Sequence, residues 1–564
     1  MWVEPGEQRS GRTVDQFREV GRLMPGSGDQ QVVGPGTAGA TQREWIGLAV
    51  IALPCLVYAM DLTVLNLAVP HLSADLRPSS AQLLWIVDIY GFLVAGLLVT
   101  MGTLGDRIGR RRLLLWGAAT FGLASVLAAS ARTAEQLIAA RALLGLAGAT
   151  LAPSTLSLIR SMFAEPRQRT VAVGVWISSF SAGGAVGPLL GGVLLEWFWW
   201  GSVFLLAVPV MALLLLLGPI LLPEYRDPEA GRPDLLSAAL SLAAVLAVIY
   251  GLKQLAQDGP GWLPAVSILA GLALGVIFVR RQHTLADPLL DLRLFRVPAF
   301  STALATNMLS FFVGFGALLF IAQYLQLVVG LSPLQAGVWM LPSSAGFILG
   351  SILAPVLMRR VRPVVVMTAG LAVAACGFLL LTQLDGATGL ALLVTDSVVF
   401  SLGLAPVDTL AADLAVGAAP AQRAGAASAL SETGAELGGA LGIAILGVVG
   451  TAAYRGQIAD ALPSGVPPEA AAAARDTLGG AVAAAGQLPD PLGEALLEAA
   501  RQAFVEGLHV AFAVSAAAAI GAAILAAVVL RGVQVSSQPD GQPDLGPGQA
   551  GPGDVGVGNA SGAP

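Results

Sequence analysis

The chain has 564 residues, of which 55% are hydrophobic and 12% are charged, and its formal net charge is −6. Soluble globular proteins carry roughly 25% charged residues, so this composition, with a mean hydropathy of +0.76, excludes the soluble globular class. The modest net charge says little about partners, and we expect no nucleic-acid partner. Because a backbone that crosses lipid must satisfy its hydrogen bonds internally, the sequence predicts an all-α integral membrane protein.

Apolar runs near the ~20 residues needed to span lipid recur along most of the chain. About fourteen spans are predicted, at 45–70, 81–104, 112–131, 134–160, 168–196, 200–222, 234–254, 262–281, 300–329, 333–357, 363–383, 388–415, 424–453 and 505–531. The first six and the last six form two comparable halves, and the remaining pair is an insertion between them. The predicted domains are a disordered tail at 1–44, a six-helix bundle at 45–222, two inserted helices at 223–299, a six-helix bundle at 300–531 and a disordered tail at 532–564.

The arginines concentrate in alternate loops, which predicts the orientation of the spans by the positive-inside rule. These loops carry arginines at 107–112, 160–169, 280–296 and 359–362, whereas the opposite loops carry few basic residues, among them Arg77, Arg132 and Lys253. Both termini are therefore expected in the cytoplasm. The segment 454–504 becomes a long extracellular loop, with short helices or a cap over the outer mouth.

The first span contains an acid in the stretch Asp61-Leu62-Thr63-Val64-Leu65-Asn66. A charge at the bilayer centre costs about 2.5–3.5 kcal/mol on insertion scales, so Asp61 is expected to pair, to bind or to carry a proton. At ~1.5 Å rise per residue, Asp61 lies about 14 Å from the outer end of its span, and Asp88 and Arg141 lie about 10 Å from theirs. This common layer favours an Asp–Arg pair, with a carboxylate whose proton affinity depends on the pairing. The alternative for Arg141 is a structural bond to backbone carbonyls.

The loop after the second span contains Gly102, Asp106, Arg107, Gly109 and Arg110 within the stretch 102–112. Glycines permit a tight turn and a close helix approach, and Asp106 with the arginines is expected to form a charge-paired latch between helix ends. A topology anchor alone would explain the arginines but not the glycine spacing. The pattern resembles the signature loop of the major facilitator superfamily.

The fifth span contains a run of small residues that includes Gly187 and Pro188, in the stretch 181–192. Small residues let helices approach closely, and a proline removes a backbone bond and kinks a helix. Tight packing alone is the alternative explanation. The segment resembles the motif of the antiporters of this superfamily, which favours export over uptake.

Further stretches extend this resemblance over almost the whole membrane domain, from about 45 to 531. They lie at 61–66, 85–90, 201–204, 331–337 and 430–442. Together they resemble the fourteen-helix drug:proton antiporters, and most of all the quaternary-ammonium (Qac-type) multidrug exporters. The resemblance implies the major facilitator fold, with two six-helix bundles and two inserted helices.

The resemblance also implies roles for particular acids. The residues that match Asp61, Asp88 and Glu432 line the central cavity in that family and serve proton coupling and cation recognition, and Glu436 matches a further acidic position. Some members carry another acid where this chain has Phe347. Because this chain lacks it, the resemblance does not predict strong handling of divalent organic cations.

Physical reasoning supports the same residues independently. Glu432 and Glu436 are four residues apart, so they share one helix face. Trp85 and Tyr90 offer flat aromatic faces to a delocalised cation, although packing against lipid or core is the alternative for each. Asp396, Asp408 and Asp413 are further intramembrane acids whose participation the sequence leaves open.

These observations predict a bacterial plasma-membrane exporter of amphipathic, cationic drugs that works by alternating access. Asp61 is the expected proton carrier, Arg141 tunes it, and Asp88 and Glu432 bind cation or proton in turn. The proton gradient drives transport without a cofactor, and a monomer is expected. Three alternatives remain: a self-resistance exporter of one natural product, a proton-coupled importer and a non-transporting receptor. An enzyme is not expected, since the sequence has no nucleophile–base motif, metal-ligand cluster or phosphate loop. Cys55 and Cys376 are expected to be buried and free of a disulfide.

Overall fold

The structure, a computed structural model, describes residues 40–224, 226, 234–285, 288–358, 360–384, 389–418 and 424–532. The two predicted tails fall outside the described residues except at 40–44 and 532. Within the described part the chain is helical and contains no β-strand, and fourteen of its helical segments are long and apolar enough to cross a membrane. The predicted all-α class with about fourteen spans is confirmed.

The described helices are numbered here in chain order. They are α1 Gln42–Leu76, α2 Ser80–Ile108, α3 Arg110–Ala129, α4 Ala134–Met162, α5 Pro166–Trp197, α6 Ser202–Leu205, α7 Ala207–Leu221, α8 Leu235–Asp258, α9 Trp262–Thr284, α10 Pro298–Gln323, α11 Pro333–Met358, α12 Pro363–Leu381, α13 Gly389–Gly417, α14 Ala424–Ala461, α15 Pro468–Asp476, α16 Leu478–Ala485 and α17 Asp490–Val529. A π-helical segment, Tyr324–Val328, continues α10.

Local sequence signals set several of these helix ends. Ser79 and Gln82 form a capping box at the start of α2: the Gln82 amide N–H donates to the Ser79 hydroxyl at 3.2 Å, and the Ser79 amide N–H donates to the Gln82 side chain at 2.9 Å. Such reciprocal bonds satisfy backbone donors that have no partner inside the helix. Arg77, in the left-handed region with φ +48°, ends α1. The turn between α1 and α2 is therefore short, and the two helices are antiparallel.

The helices form two halves and an inserted hairpin. In the first half α1 packs along α5 and α2 along α4; in the second half α10 packs along α14 and α11 along α13. The halves meet where α2 contacts α14, α5 contacts α11 and α1 contacts α10. The inserted helices α8 and α9 pack on each other, and α8 also contacts α2 and α14. The insertion therefore lies beside the junction of the two halves.

A row of glycines lets α5 lie close against α1. Gly183, Gly187 and Gly191 face Leu56, Met60 and Val64, in that order. A Cβ at Gly183 would collide with the backbone carbonyl of Leu56. This confirms the close approach predicted from the small residues of the fifth span, and it fixes the helix that carries Asp61.

The two ends of the bundle differ, and we name them by their residues. The capped face is the end where α1 finishes and where α15 and α16 lie; α16 contacts both α1 and the π-helical segment, and the Tyr454 hydroxyl donates to the Ala474 carbonyl at 2.5 Å. The basic face is the opposite end, where Arg110 and Arg111 begin α3. The segment between α14 and α17 is shorter than the predicted loop 454–504, because its alanine-rich flanks continue both helices.

Two predicted placements are wrong. Lys253, counted among the residues of the outward loops although the predicted span 234–254 includes it, is buried within α8, which continues to Asp258. Its charge did not end the span because a carboxylate faces it inside the bundle. Cys376, predicted to be buried, is exposed on the outer side of α12, whereas Cys55 is buried; both thiols are free.

The glycine row gives a prediction with a neighbouring control. Gly183→Ala should lower the thermal midpoint of the purified protein, since overpacking a tight contact typically costs about 1–3 kcal/mol. Gly184→Ala adds the same methyl group where nothing lies within 4 Å, so it should leave the midpoint unchanged or raise it, because Ala favours a helix over Gly. Equal effects of the two changes would contradict the close packing of α5 on α1.

Candidate functional site

Asp61 and Arg141 form an ion pair inside the first half. The Arg141 Nη1 contacts the Asp61 Oδ2, and the Arg141 Nε donates to the Ile86 carbonyl at 3.1 Å. The Arg141 side chain is 1% exposed and that of Asp61 is 12% exposed. Both expectations for Arg141 thus hold together, since it pairs with the acid and also bonds a backbone carbonyl. The roles of the two residues in proton coupling stay predictions.

The carboxylate of Asp61 does not line the cavity that Asp88 and Glu436 share. It lines a small pocket between α1 and the α6–α7 segment, together with Val57, Val203 and Phe204. Among the described residues, the carboxylate therefore borders a space within the first half.

Asp88 forms a buried ion pair that the sequence analysis missed. The Lys253 Nζ lies 2.7 Å from one Asp88 carboxylate oxygen and 2.9 Å from the other, and neither side chain is more than 1% exposed. The same Nζ lies 3.7 Å from the centroid of the Trp85 ring. The available signal was that Lys253, the only lysine in the chain, lies at the end of the predicted apolar span 234–254.

A cavity lies at the junction of the two halves. It is lined by Asp88 from α2 and Glu436 from α14, with Phe311 and Phe315 of α10 beside them. The two phenylalanine rings are stacked with their centroids 6.0 Å apart. The sequence analysis did not single out these rings, because nothing in an apolar span distinguishes a ring at a cavity from one facing lipid.

Glu436 joins the two halves. The Tyr58 hydroxyl of α1 donates to the Glu436 carboxylate of α14 at 2.6 Å. Glu432 lies one turn nearer the basic face on the same side of α14, as its spacing predicted, and its side chain is exposed. The two glutamates therefore differ: one is held by the opposite half and the other is open.

The aromatic faces predicted for an organic cation are already occupied by cations of the chain. The Arg141 guanidinium lies 4.6 Å from the centroid of the Tyr90 ring, and the Lys253 ammonium covers the Trp85 ring. Tyr90 is fully buried. A contact of either ring with substrate stays a prediction, and in the described arrangement a cation of the chain already covers one face of each ring.

The charge pairing predicted for the latch is present at the basic face, and its role as a conformational latch stays a prediction. Arg110, at the start of α3, pairs with Asp106 at 2.5 Å and donates to the Pro153 carbonyl of α4 at 3.2 Å. Gly109, with φ +114°, makes the turn between α2 and α3. A Cβ added at Gly102 would lie 3.8 Å from Pro153, which is an ordinary van der Waals distance. These contacts connect the end of α2 and the start of α3 to the interior of α4 at Pro153.

A second set of contacts at the basic face was not predicted. Arg111 lies 3.5 Å and Arg112 lies 3.8 Å from the Glu224 carboxylate, which follows α7. Arg111 also donates to the Leu222 carbonyl at 2.9 Å. Arg107 is exposed. Arg110 thus pairs with Asp106, whereas Arg111 and Arg112 share Glu224. Glu224 extends the set of contacts at the basic face to the end of the first half.

Gly187 and Pro188 lie where α5 contacts both α1 and the second half. Gly187 faces Met60 of α1, while a Cβ on Gly337 of α11 would collide with the Pro188 carbonyl. A hinge at these residues stays a prediction.

Of the remaining acids, Asp396 is buried within the second half, and neither it nor Asp408 or Asp413 lines the cavity at the junction.

Comparisons with known proteins agree with this architecture. The sequence model described as Major Facilitator Superfamily matches residues 51–443. The chain is 45% identical over 474 residues to the multidrug efflux pump LfrA of Mycolicibacterium smegmatis, covering 84% of this chain and 94% of that protein. It is 40% identical over 476 residues to the methyl viologen resistance protein SmvA of Salmonella typhimurium, covering 82% and 93%.

Two further similarities widen the comparison. The chain is 33% identical over 488 residues to the tetracenomycin C resistance and export protein of Streptomyces glaucescens, covering 85% of this chain and 90% of that protein. Among solved structures, it resembles a bacterial homologue of the human lysosomal transporter Spinster in an inward-facing, unoccupied conformation, with a TM-score of 0.60 and 20% identity, covering 86% and 98%. At this identity the structural likeness concerns the fold.

The Tyr58–Glu436 contact gives a prediction about how the halves are held together. Tyr58→Phe removes a hydrogen bond with a net contribution of about 0.5–1.5 kcal/mol, so the population of a state separated at the capped face should rise roughly two- to tenfold. Spin labels at the exposed positions Arg132 and Gln383, in a background lacking both native cysteines, would measure the separation. Tyr250→Phe, which alters an exposed hydroxyl on α8, is the control. Identical distance distributions for the two variants would contradict the role of this contact.

Proposed function

The chain belongs to the major facilitator superfamily, and we propose that it exports amphipathic, cationic drugs in exchange for protons across the bacterial plasma membrane. The observation that carries the proposal is the cavity at the junction of the halves, which carboxylates of both halves line. Similarity over more than four fifths of the chain to proteins named as efflux and drug-resistance proteins supports export.

The chemistry of the cavity supports a cationic, amphipathic substrate. Glu436 supplies negative charge at one side, and the stacked rings of Phe311 and Phe315 supply an apolar face. A delocalised cation gains from both, because it is attracted to a carboxylate and to an aromatic face. The exposed Glu432 lies one turn closer to the basic face, where an entering cation would first meet the charge.

The Asp61–Arg141 pair supports proton coupling. A proton on Asp61 would remove the charge that Arg141 faces, yet the guanidinium would keep the Ile86 carbonyl and the Tyr90 ring as partners. Losing the proton would restore the pair, so the two charge states differ in how firmly α1 is held to α4. One charge that moves through 100 mV is worth about 2.3 kcal/mol, so the gradient drives export without a cofactor.

The contacts between the halves support alternating access. Near the capped face, Gly192 of α5 meets Pro333 and Leu334 at the start of α11, and Gly447 of α14 meets Leu84 of α2. We assign the basic face to the cytoplasm, since arginines accumulate on the inner side. The described arrangement is then closed to the outside, with Glu432 on the inner side of the closed region. A single chain supplies both halves, which supports a monomer as the working unit.

A dedicated self-resistance exporter is the second candidate. The similarity to the Streptomyces glaucescens resistance and export protein favours it. Susceptibility of a deletion strain to a panel of unrelated compounds separates the two: sensitivity to several cationic classes supports the multidrug exporter, and sensitivity to one natural-product class supports the dedicated one.

Asp61→Asn should abolish proton-driven export while the protein remains in the membrane. An amide keeps the shape of the carboxylate but stays neutral, so it cannot carry a proton from one side of the membrane to the other. Substrate accumulation in energised inverted vesicles is the measurement. Asp75→Asn is the matched control, since Asp75 lies on the same helix, is exposed and accepts a bond from the Trp200 ring nitrogen. Retained uphill accumulation by Asp61→Asn would remove Asp61 from proton coupling.

Glu432→Gln should weaken transport of cations more than that of neutral compounds, by roughly tenfold in the ratio of the two, which is the effect of losing about 1.4 kcal/mol of charge attraction. Transport rates of one permanently charged and one neutral amphipathic compound in the same vesicles give this ratio. An equal loss for both compounds would point to a structural role of Glu432.

A further inference from the structure

The site around Asp88 has the composition of a cation-binding site. Its carboxylate and the face of the Trp85 ring meet at one point, and the Lys253 ammonium occupies that point, 2.7 Å from the carboxylate and 3.7 Å from the ring centroid. A carboxylate with an aromatic face is the arrangement that recognises organic ammonium ions. The ligand in this structure is a side chain of the protein itself.

This site is part of the cavity wall. Asp88 lines the cavity at the junction of the halves together with Glu436, whereas Lys253 comes from α8, which belongs to the inserted hairpin. The insertion thus supplies a positive charge to a wall that otherwise presents acids from both halves. A substrate in the cavity and the lysine would compete for the same carboxylate.

A simple strut between α8 and α2 is the alternative for this ion pair. A buried ion pair is weak evidence for stability, because apolar residues of similar volume often serve as well. The identity of the cation also bears on the question: of the 30 basic residues, Lys253 is the only lysine. A lysine presents a compact ammonium on a flexible stem, unlike the rigid, forked guanidinium of arginine. This choice fits a cation that leaves and returns.

We propose that Lys253 is a tethered cation that occupies the Asp88–Trp85 site, so that an organic cation reaches Asp88 only when Lys253 withdraws. The inference rests on the proposed cation-exporting function. A monocation can bind at Glu436 without disturbing the lysine. A dication that engages Glu436 and Asp88 together must displace the lysine. The apparent affinity of the dication is then its intrinsic affinity multiplied by the fraction of time for which Lys253 leaves the site free. Lys253 is therefore a specificity-determining residue that discriminates against divalent cations.

The Lys253 ammonium can reach the membrane interface at the capped face when it leaves Asp88. It lies about 7.5 Å of helix rise from the end of α8 near the capped face, within the reach over which long lysine side chains extend to the membrane interface. The incoming cation then takes over the carboxylate, so that no buried acid is left unpaired.

Lys253→Met tests the proposal by removing the charge and keeping most of the stem. Equilibrium binding of methyl viologen, a planar dication, and of tetraphenylphosphonium, a monocation, is measured on the purified full chain in lipid nanodiscs. We expect methyl viologen to bind about tenfold more tightly or better to Lys253→Met, and tetraphenylphosphonium affinity to change less than about threefold. Adding Asp88→Asn should abolish the gain.

Two controls accompany this experiment. Lys253→Arg keeps a positive charge and should show little of the gain, and Gln254→Met introduces the same side chain at the next position of α8, outside the site. Unchanged methyl viologen affinity in a Lys253→Met protein that still binds tetraphenylphosphonium would overturn the inference alone. Absent tetraphenylphosphonium binding to the unmodified protein would instead contradict the proposed function.

A second measurement needs no substitution and covers the case in which Lys253→Met fails to fold. Because the chain has one lysine, [13Cε]lysine labelling gives a single NMR signal for this side chain. The signal should shift as methyl viologen is titrated, with the midpoint of the binding curve, and should shift little with tetraphenylphosphonium. A signal unmoved at saturating methyl viologen would refute displacement of the lysine.

Discussion

The structure depends on one constraint: an ionised group inside an apolar bundle needs a partner there. An unpaired charge is costly in lipid, and removing one member of a buried pair typically costs about 3–5 kcal/mol. Asp61 is paired with Arg141, and Asp88 with Lys253. Each pair fixes two helices relative to each other, and any change of partner is therefore a change in how helices are held.

The three partnered acids lie at three different kinds of contact. Asp61 joins two helices of the first half, Asp88 joins the first half to the inserted hairpin, and Glu436 joins the first half to the second through Tyr58. Protons and cations that act on these groups would therefore affect distinct parts of the molecule. In the proposed exporter, the proton site at Asp61 is separate from the cavity lined by Asp88 and Glu436. Asp61 can therefore change its charge while the substrate stays bound to the carboxylates of the cavity.

Much of this arrangement could be predicted from the sequence, and the rest depended on contacts that no local pattern encodes. Hydropathy gave the fourteen spans, depth along the helices gave the Asp61–Arg141 pair, and the glycine spacing gave the close packing of α5 on α1. The burial of Lys253 and its pairing with Asp88 were not predicted, because a charge at the end of an apolar run usually indicates a loop residue. Its burial follows from the side on which the inserted hairpin packs. Glu224 was also missed, because its partners Arg111 and Arg112 lie more than 110 residues earlier in the sequence.

The length of α14 has a mechanical consequence. The helix runs without a break from Ala424 to Ala461, about 57 Å at 1.5 Å per residue, which is nearly twice the ~30 Å thickness of the hydrocarbon layer. Tyr454, which holds the α15 segment, lies about 27 Å along this rod from Glu436. A tilt of about 5° pivoting at the glutamate would move Tyr454 by roughly 2 Å. A small tilt of α14 at Glu436 would therefore displace the α15 segment at the capped face.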